Sequence, residues 1–204
     1  MAETPVAALE ERSRKLVENA QAALERGNLD YVLEACAEVL ESAPGCVVVR
    51  RLQRAAQLRQ LRNKNRLLSK VAGWWGALPW VIWKRPAAEN WNGAERWIAR
   101  DPTSVMALTL LGEAALERGM PETAVFAFQA VQEVEPENAK NLVALGGAWL
   151  AVGNAAEALR CANRVLAAQP MDGAAQELMR VASIAQTVAD GRWEEPTTFR
   201  EKLR

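Results

Sequence analysis

Five kinds of residue recur at a fixed distance in the second half of this chain. Leu111-Gly112 returns as Leu145-Gly146, Gly119 as Gly153, Ala124 as Ala158, Val131 as Val165 and Pro136 as Pro170, each after 34 residues. A period in this range marks stacked supersecondary units, none of which can bury its apolar side alone. The register extends towards the N-terminus. Pro102 precedes Pro136 by 34 residues, and Gly27 precedes Pro44 by 17, the spacing that also separates Gly119 from Pro136 and Gly153 from Pro170.

Each recurring residue has a role in a pair of helices. Leu-Gly lets two helices approach closely. Gly119 or Gly153 ends a first helix in a left-handed turn. Ala124 or Ala158 is small where helices cross, and Pro136 or Pro170 stops the second helix. The pattern predicts helices near 4–26, 29–42, 46–68, 88–100, 104–118, 121–134, 138–152, 155–168 and 172–189. Ala, Leu, Glu and Arg dominate the composition, as helices favour.

These residues resemble the tetratricopeptide repeat family. The resemblance implies an all-α fold: a right-handed α-solenoid of helix pairs, with one irregular Trp-rich interruption and a C-terminal capping helix. It implies one domain over 1–204, with repeats at 13–46, 105–138 and 139–172, an irregular stretch at 47–104, a capping helix at 173–189 and a tail at 190–204. By position it also implies a groove lined by Val17, Gln21, Leu24, Met106, Thr109, Glu113, Leu116, Glu117, Lys140, Val143 and Leu150. The asparagines that grip a peptide carboxylate in some family members are absent here. The groove is mildly acidic and apolar instead.

The chain contains no histidine, and its three cysteines form no C-x-x-C pair. With no phosphate loop and no metal signature either, the expectation is a non-enzymatic protein without cofactor or metal. The cysteines are expected to be reduced and buried. The N-terminal residues lack the form of a secretory signal, so the expected location is cytoplasmic, peripherally at the inner face of the membrane.

One block breaks the register. Between Ser42 and Ala88 there is no Asp or Glu, yet ten Lys or Arg and four Trp occur there; the rest of the chain keeps 15 basic residues against 25 acidic ones. Arg50, Arg54, Arg62, Arg66 and Lys70 fall on one i+4 row with Leu58 the only gap, and Val48, Leu52, Ala55 and Ala56 are the expected packed side. Thirteen uncharged residues follow, Val71–Trp83, interrupted by Gly73, Gly76 and Pro79. That is too short to span a bilayer, for which about 20 apolar residues are needed. Trp flanked by Lys and Arg suits a membrane interface. The expected contact set for membrane or partner is therefore Trp74, Trp75, Trp80, Trp83, Arg54, Arg62, Arg66, Lys70, Lys84 and Arg85.

Three functions compete on these residues. The first is an adaptor that binds a protein partner through its repeats and anionic membrane lipid through the Trp segment. The second is a purely protein-binding scaffold or homo-oligomer with the Trp segment covered. The third is single-strand nucleic-acid binding, which the acidic remainder disfavours. A small chain of such repeats with a membrane-seeking segment also resembles the bacterial kinesin light chain proteins. That resemblance implies bacterial tubulin-like filaments as the protein partner.

Overall fold

The computed structural model describes residues 3–63 and 87–190. Among the described residues are nine helices and a 3-10 turn at Val6–Ala8. The helices are α1 Glu11–Glu25, α2 Leu29–Ser42, α3 Val47–Asn63, α4 Ala87–Arg100, α5 Val105–Glu117, α6 Pro121–Val134, α7 Ala139–Val152, α8 Ala155–Ala168 and α9 Gly173–Asp190.

Their ends follow from side chains visible in the sequence. Gly27, Gly119 and Gly153 have φ of 79°, 70° and 87°, so each takes the left-handed conformation that closes a helix. The next residue's N–H then bonds back into the last turn: Asn28 to Ala23 O at 2.9 Å, Met120 to Ala115 O at 2.9 Å and Asn154 to Trp149 O at 2.8 Å. Helix starts are capped by short polar side chains. Asn154 Oδ1 accepts from Glu157 N at 3.2 Å, Asn138 Oδ1 from Asn141 N at 3.0 Å and Asp172 Oδ1 from Ala175 N at 2.8 Å. Pro121 occupies the first turn of α6, where its missing N–H costs nothing.

The first helix differs from expectation. Helix was expected from residue 4, but the backbone is extended at Pro5 (ψ 151°) and at Leu9 (ψ 152°), on either side of the 3-10 turn. The break buries Leu9 and brings Glu3 to the start of α6, where its Oε1 accepts the Thr123 N–H at 2.7 Å. A long-range cap outweighs local helix propensity.

The chain falls into two compact units, residues 1–141 and 142–204. In the first, α1 packs on α2 and α3, α2 on α3, α4 on α5, α5 on α6, and α3 also meets α6. Its interior includes Val32, Cys36, Val39, Val49, Trp91, Leu108, Leu111, Phe128 and Val131. In the second, α8 packs on α9, and Leu145, Ala148, Ala158, Val165, Ala175 and Leu178 are buried. Close approach is visible at the repeated Leu-Gly. A methyl group on Gly112 would stand 2.6 Å from Phe128 Cε1, and one on Gly146 would collide with Leu178. All three cysteines are free and buried. Burial, and secondarily the neighbouring Cys46, pushes the Cys36 thiol up to about 12, so it stays protonated.

Candidate functional site

The basic row was expected to be an exposed ridge; at its start it is interior. Arg50 is 3% exposed and Arg54 7%. A buried guanidinium needs partners for its donors, because desolvating the charge alone costs several kcal/mol. Arg50 donates from Nε and Nη2 to Pro44 O at 2.9 and 2.7 Å, and Nη1 pairs with Glu95 at 2.7 Å. Arg54 donates from Nη1 to Pro102 O at 2.8 Å, from Nη2 to Ala130 O at 3.2 Å, and from Nε and Nη2 to Glu133 at 3.2 and 2.9 Å. Arg59 Nη1 reaches Leu24 O at the end of α1, at 2.6 Å. The acids that answer these cations lie outside the acid-free block, on α4 and α6. Arg54 thus joins the end of the α4 segment to α6 and is not available to a membrane.

Of the expected packed side of α3, Ala56 is buried and Leu52 packs against the core, but Val48 is 46% exposed; Val49 and Gln57 are buried as well. Trp91 sits between two cations, with the guanidinium carbons of Arg50 and Arg118 each 4.7 Å from its ring centroid. Such stacking favours a desolvated cation over a tryptophan face. This cluster of Arg50, Trp91, Glu95 and Arg118 was missed in the sequence. Its local signal is the i+4 pair Trp91 and Glu95 on α4. Arg50 comes from α3 and Arg118 from the C-terminal cap of α5.

A second feature is the outer face of α5. Met106, Thr109, Glu113, Leu116 and Glu117 share one side of the helix at spacings of three, four, three and one residues. Met106 and Leu116 are large apolar side chains left open, at 44% and 38% exposure. Between them Glu113 holds its proton above the usual carboxylate range, first because partial burial disfavours the anion and then because Glu117 repels it. The opposite side of α5, with Ala107, Leu108, Leu111 and Ala114, is buried. The face therefore sets two open apolar side chains beside two carboxylates. Among the described residues no cluster of metal-ligating side chains occurs.

The other expected groove residues are distributed. Gln21 is exposed on α1, but Val17 is 3% exposed and belongs to the core of the first unit. Lys140 is exposed and Val143 half-buried on α7. The structure leaves Gln21 and the α5 row on separate helices, the first packed on α2 and α3, the second on α4 and α6. Of the expected membrane contacts, Arg62 is exposed at the end of α3. Arg66, Lys70, Trp74, Trp75, Trp80, Trp83, Lys84 and Arg85 lie outside the described residues. Among the described residues no helix is long and apolar enough to cross a membrane.

The family description "Tetratricopeptide repeat" matches residues 115–181, from the end of α5 into α9. No curated protein matches the chain. Among solved structures, MamA is similar at 16% identity and a TM-score of 0.45, over 90% of this chain and 87% of that one. A tetratricopeptide repeat protein from Parabacteroides merdae ATCC 43184 is similar at 14% identity and a TM-score of 0.48, over 89% of this chain and 62% of that one. YrrB, described as a TPR protein with an unusual peptide-binding site, is similar at 14% identity and a TM-score of 0.42, over 81% and 90%. The kinesin light chain resemblance, and the tubulin partner it implies, rest on the sequence alone.

Proposed function

We propose that this chain, whose residues 115–181 match the tetratricopeptide repeat, is a non-enzymatic scaffold that holds a segment of a partner protein against the outer face of α5. The observation that carries this reading is the pairing of exposed Met106 and Leu116 with the carboxylates of Glu113 and Glu117 on one side of one helix. Apolar anchors beside a fixed charge are what a short protein segment needs for affinity and register. The charge selects a basic segment with apolar residues. Arrays of apolar peptides with basic, neutral or acidic flanks, probed with the full chain, test it. Basic peptides are expected to be retained, and Glu113→Lys combined with Glu117→Lys to weaken them about tenfold or more, as does high salt. Equal retention of the three peptide classes sinks the proposal.

A second reading adds membrane attachment, and the acid-free block favours it. Residues 64–86 hold Lys64, Arg66, Lys70, Lys84 and Arg85 with Trp74, Trp75, Trp80 and Trp83, and no acid. Anionic lipid attracts each well-placed cation by about 1 kcal/mol. Co-sedimentation with anionic vesicles, compared between the native chain and one with all four Trp changed to Ser, tests this reading. Equal pelleting sinks it. Co-pelleting with assembled bacterial tubulin tests the filament partner.

A further inference from the structure

Within the first unit, α2, α3, α4 and the C-terminal cap of α5 line a cleft of about 350 Å³. That is the size of a small ligand site rather than a packing gap. Ala37, Leu40 and Pro44 give it an apolar wall, and Gln53 and Asn92 contribute amides. Ala37, Glu41 and Asn92 are exposed, so the cleft opens to solvent. None of the residues expected to form the groove lines it.

Charge decides what the cleft accepts. Its charged lining is Glu41, Glu95 and Arg118. Glu95 is already answered by Arg50 at 2.7 Å. Glu41 is exposed, so water screens it. Arg118 is half-buried over the Trp91 ring, and among the described residues no carboxylate pairs with it. A guanidinium held over an aromatic face keeps the N–H donors in its own plane available. The contact also restrains the side chain, so less freedom is lost when a ligand arrives. That fork of donors matches a carboxylate. The amides of Gln53 and Asn92 can both donate and accept, as a peptide backbone requires. A bare small acid would use neither those amides nor the apolar wall.

We propose that this cleft binds an acidic side chain on a segment of a partner protein. Its carboxylate sits on the Arg118 guanidinium, and an adjoining apolar residue rests on Leu40 and Pro44. The site selects acid where the outer face of α5 selects base, and it is independent of that reading.

The indole N–H resonance of Trp91 in the full chain, assigned by its loss in Trp91→Phe, reads the site. The probes are two blocked peptides, acetyl-Leu-Glu-Leu-amide and acetyl-Leu-Gln-Leu-amide, and acetate as the bare acid. The Glu peptide is expected to shift that resonance saturably and to bind about tenfold or more tightly than either of the others. Arg118→Gln is expected to erase the preference for Glu over Gln while the other indole resonances stay in place. Asn92→Asp leaves Arg118 over Trp91 and is expected to weaken the Glu peptide about threefold or more by like-charge repulsion. Glu41→Gln is expected to tighten it. Equal affinity for the two peptides overturns the proposal, as does a preference that survives Arg118→Gln, or the lack of any saturable shift with the Glu peptide. Acetate binding as tightly as the Glu peptide overturns the choice of a protein segment.

Discussion

At the residue scale, the consequences concentrate in a few side chains whose partners are far away in sequence. Arg54 answers Pro102, Ala130 and Glu133, between 48 and 79 residues distant. Arg54→Ala strands those acceptors and is expected to cost about 2–3 kcal/mol, read from the urea midpoint. Arg62→Ala, on the same row but exposed, is expected to stay within about 0.5 kcal/mol of the native chain. Equal effects at the two positions refute the interior role of Arg54. Gly112 offers a second contrast. Gly112→Ala drives a methyl group into the Phe128 ring and is expected to destabilise by roughly 1–3 kcal/mol. Gly147→Ala, with nothing within 4 Å, is expected to stabilise by up to about 1 kcal/mol through helix propensity. Gly112 was legible in the sequence because Leu-Gly recurs in register. Arg54 was not, because a row of like charges reads as a solvated face until its counterions are placed.

At the element scale, most helix limits were legible. A left-handed glycine, a short polar cap or a proline writes them locally, as at Gly119, Asn154 and Pro121. The start of α1 was not legible, because Glu3 caps a helix that begins 118 residues later. Glu3→Ala is expected to lower stability by roughly 0.5–1 kcal/mol, the usual worth of an anion at a helix N-terminus. Thermal unfolding of that variant checks it. The face of α5 makes a prediction about pH. The folded chain binds the Glu113 proton more tightly than the unfolded chain does. Stability therefore rises as pH falls through the window between the ordinary carboxylate value and the raised one, and is lost as pH climbs back above it. Glu117→Gln removes the repulsion between neighbours on one helix face. It is expected to raise neutral-pH stability by about 0.2–0.5 kcal/mol and to flatten that slope. Urea titrations at a series of pH values read both. An unchanged slope means the two carboxylates do not sense each other.

At the scale of the whole molecule, charge separation is the property that reaches beyond single helices. Ten cations sit in a block without acids, yet Arg50 and Arg54 are consumed inside the first unit. A membrane or acidic partner therefore meets fewer charges than the composition offers. Vesicle binding, if the Trp segment carries it, is expected to weaken with salt and to be indifferent to conservative changes at Arg50 and Arg54 that preserve folding. Binding that falls with a folded Arg54→Lys chain while Lys70→Ala leaves it unchanged contradicts that division. By itself the sequence determined the all-α class, the 34-residue period and most helix ends, because those depend on neighbours within a few turns. The tertiary structure alone decided which cations are buried, where Glu3 is used and that Val49 rather than Val48 packs. Each of those depends on a partner brought from another helix, and no local pattern records where that partner lies.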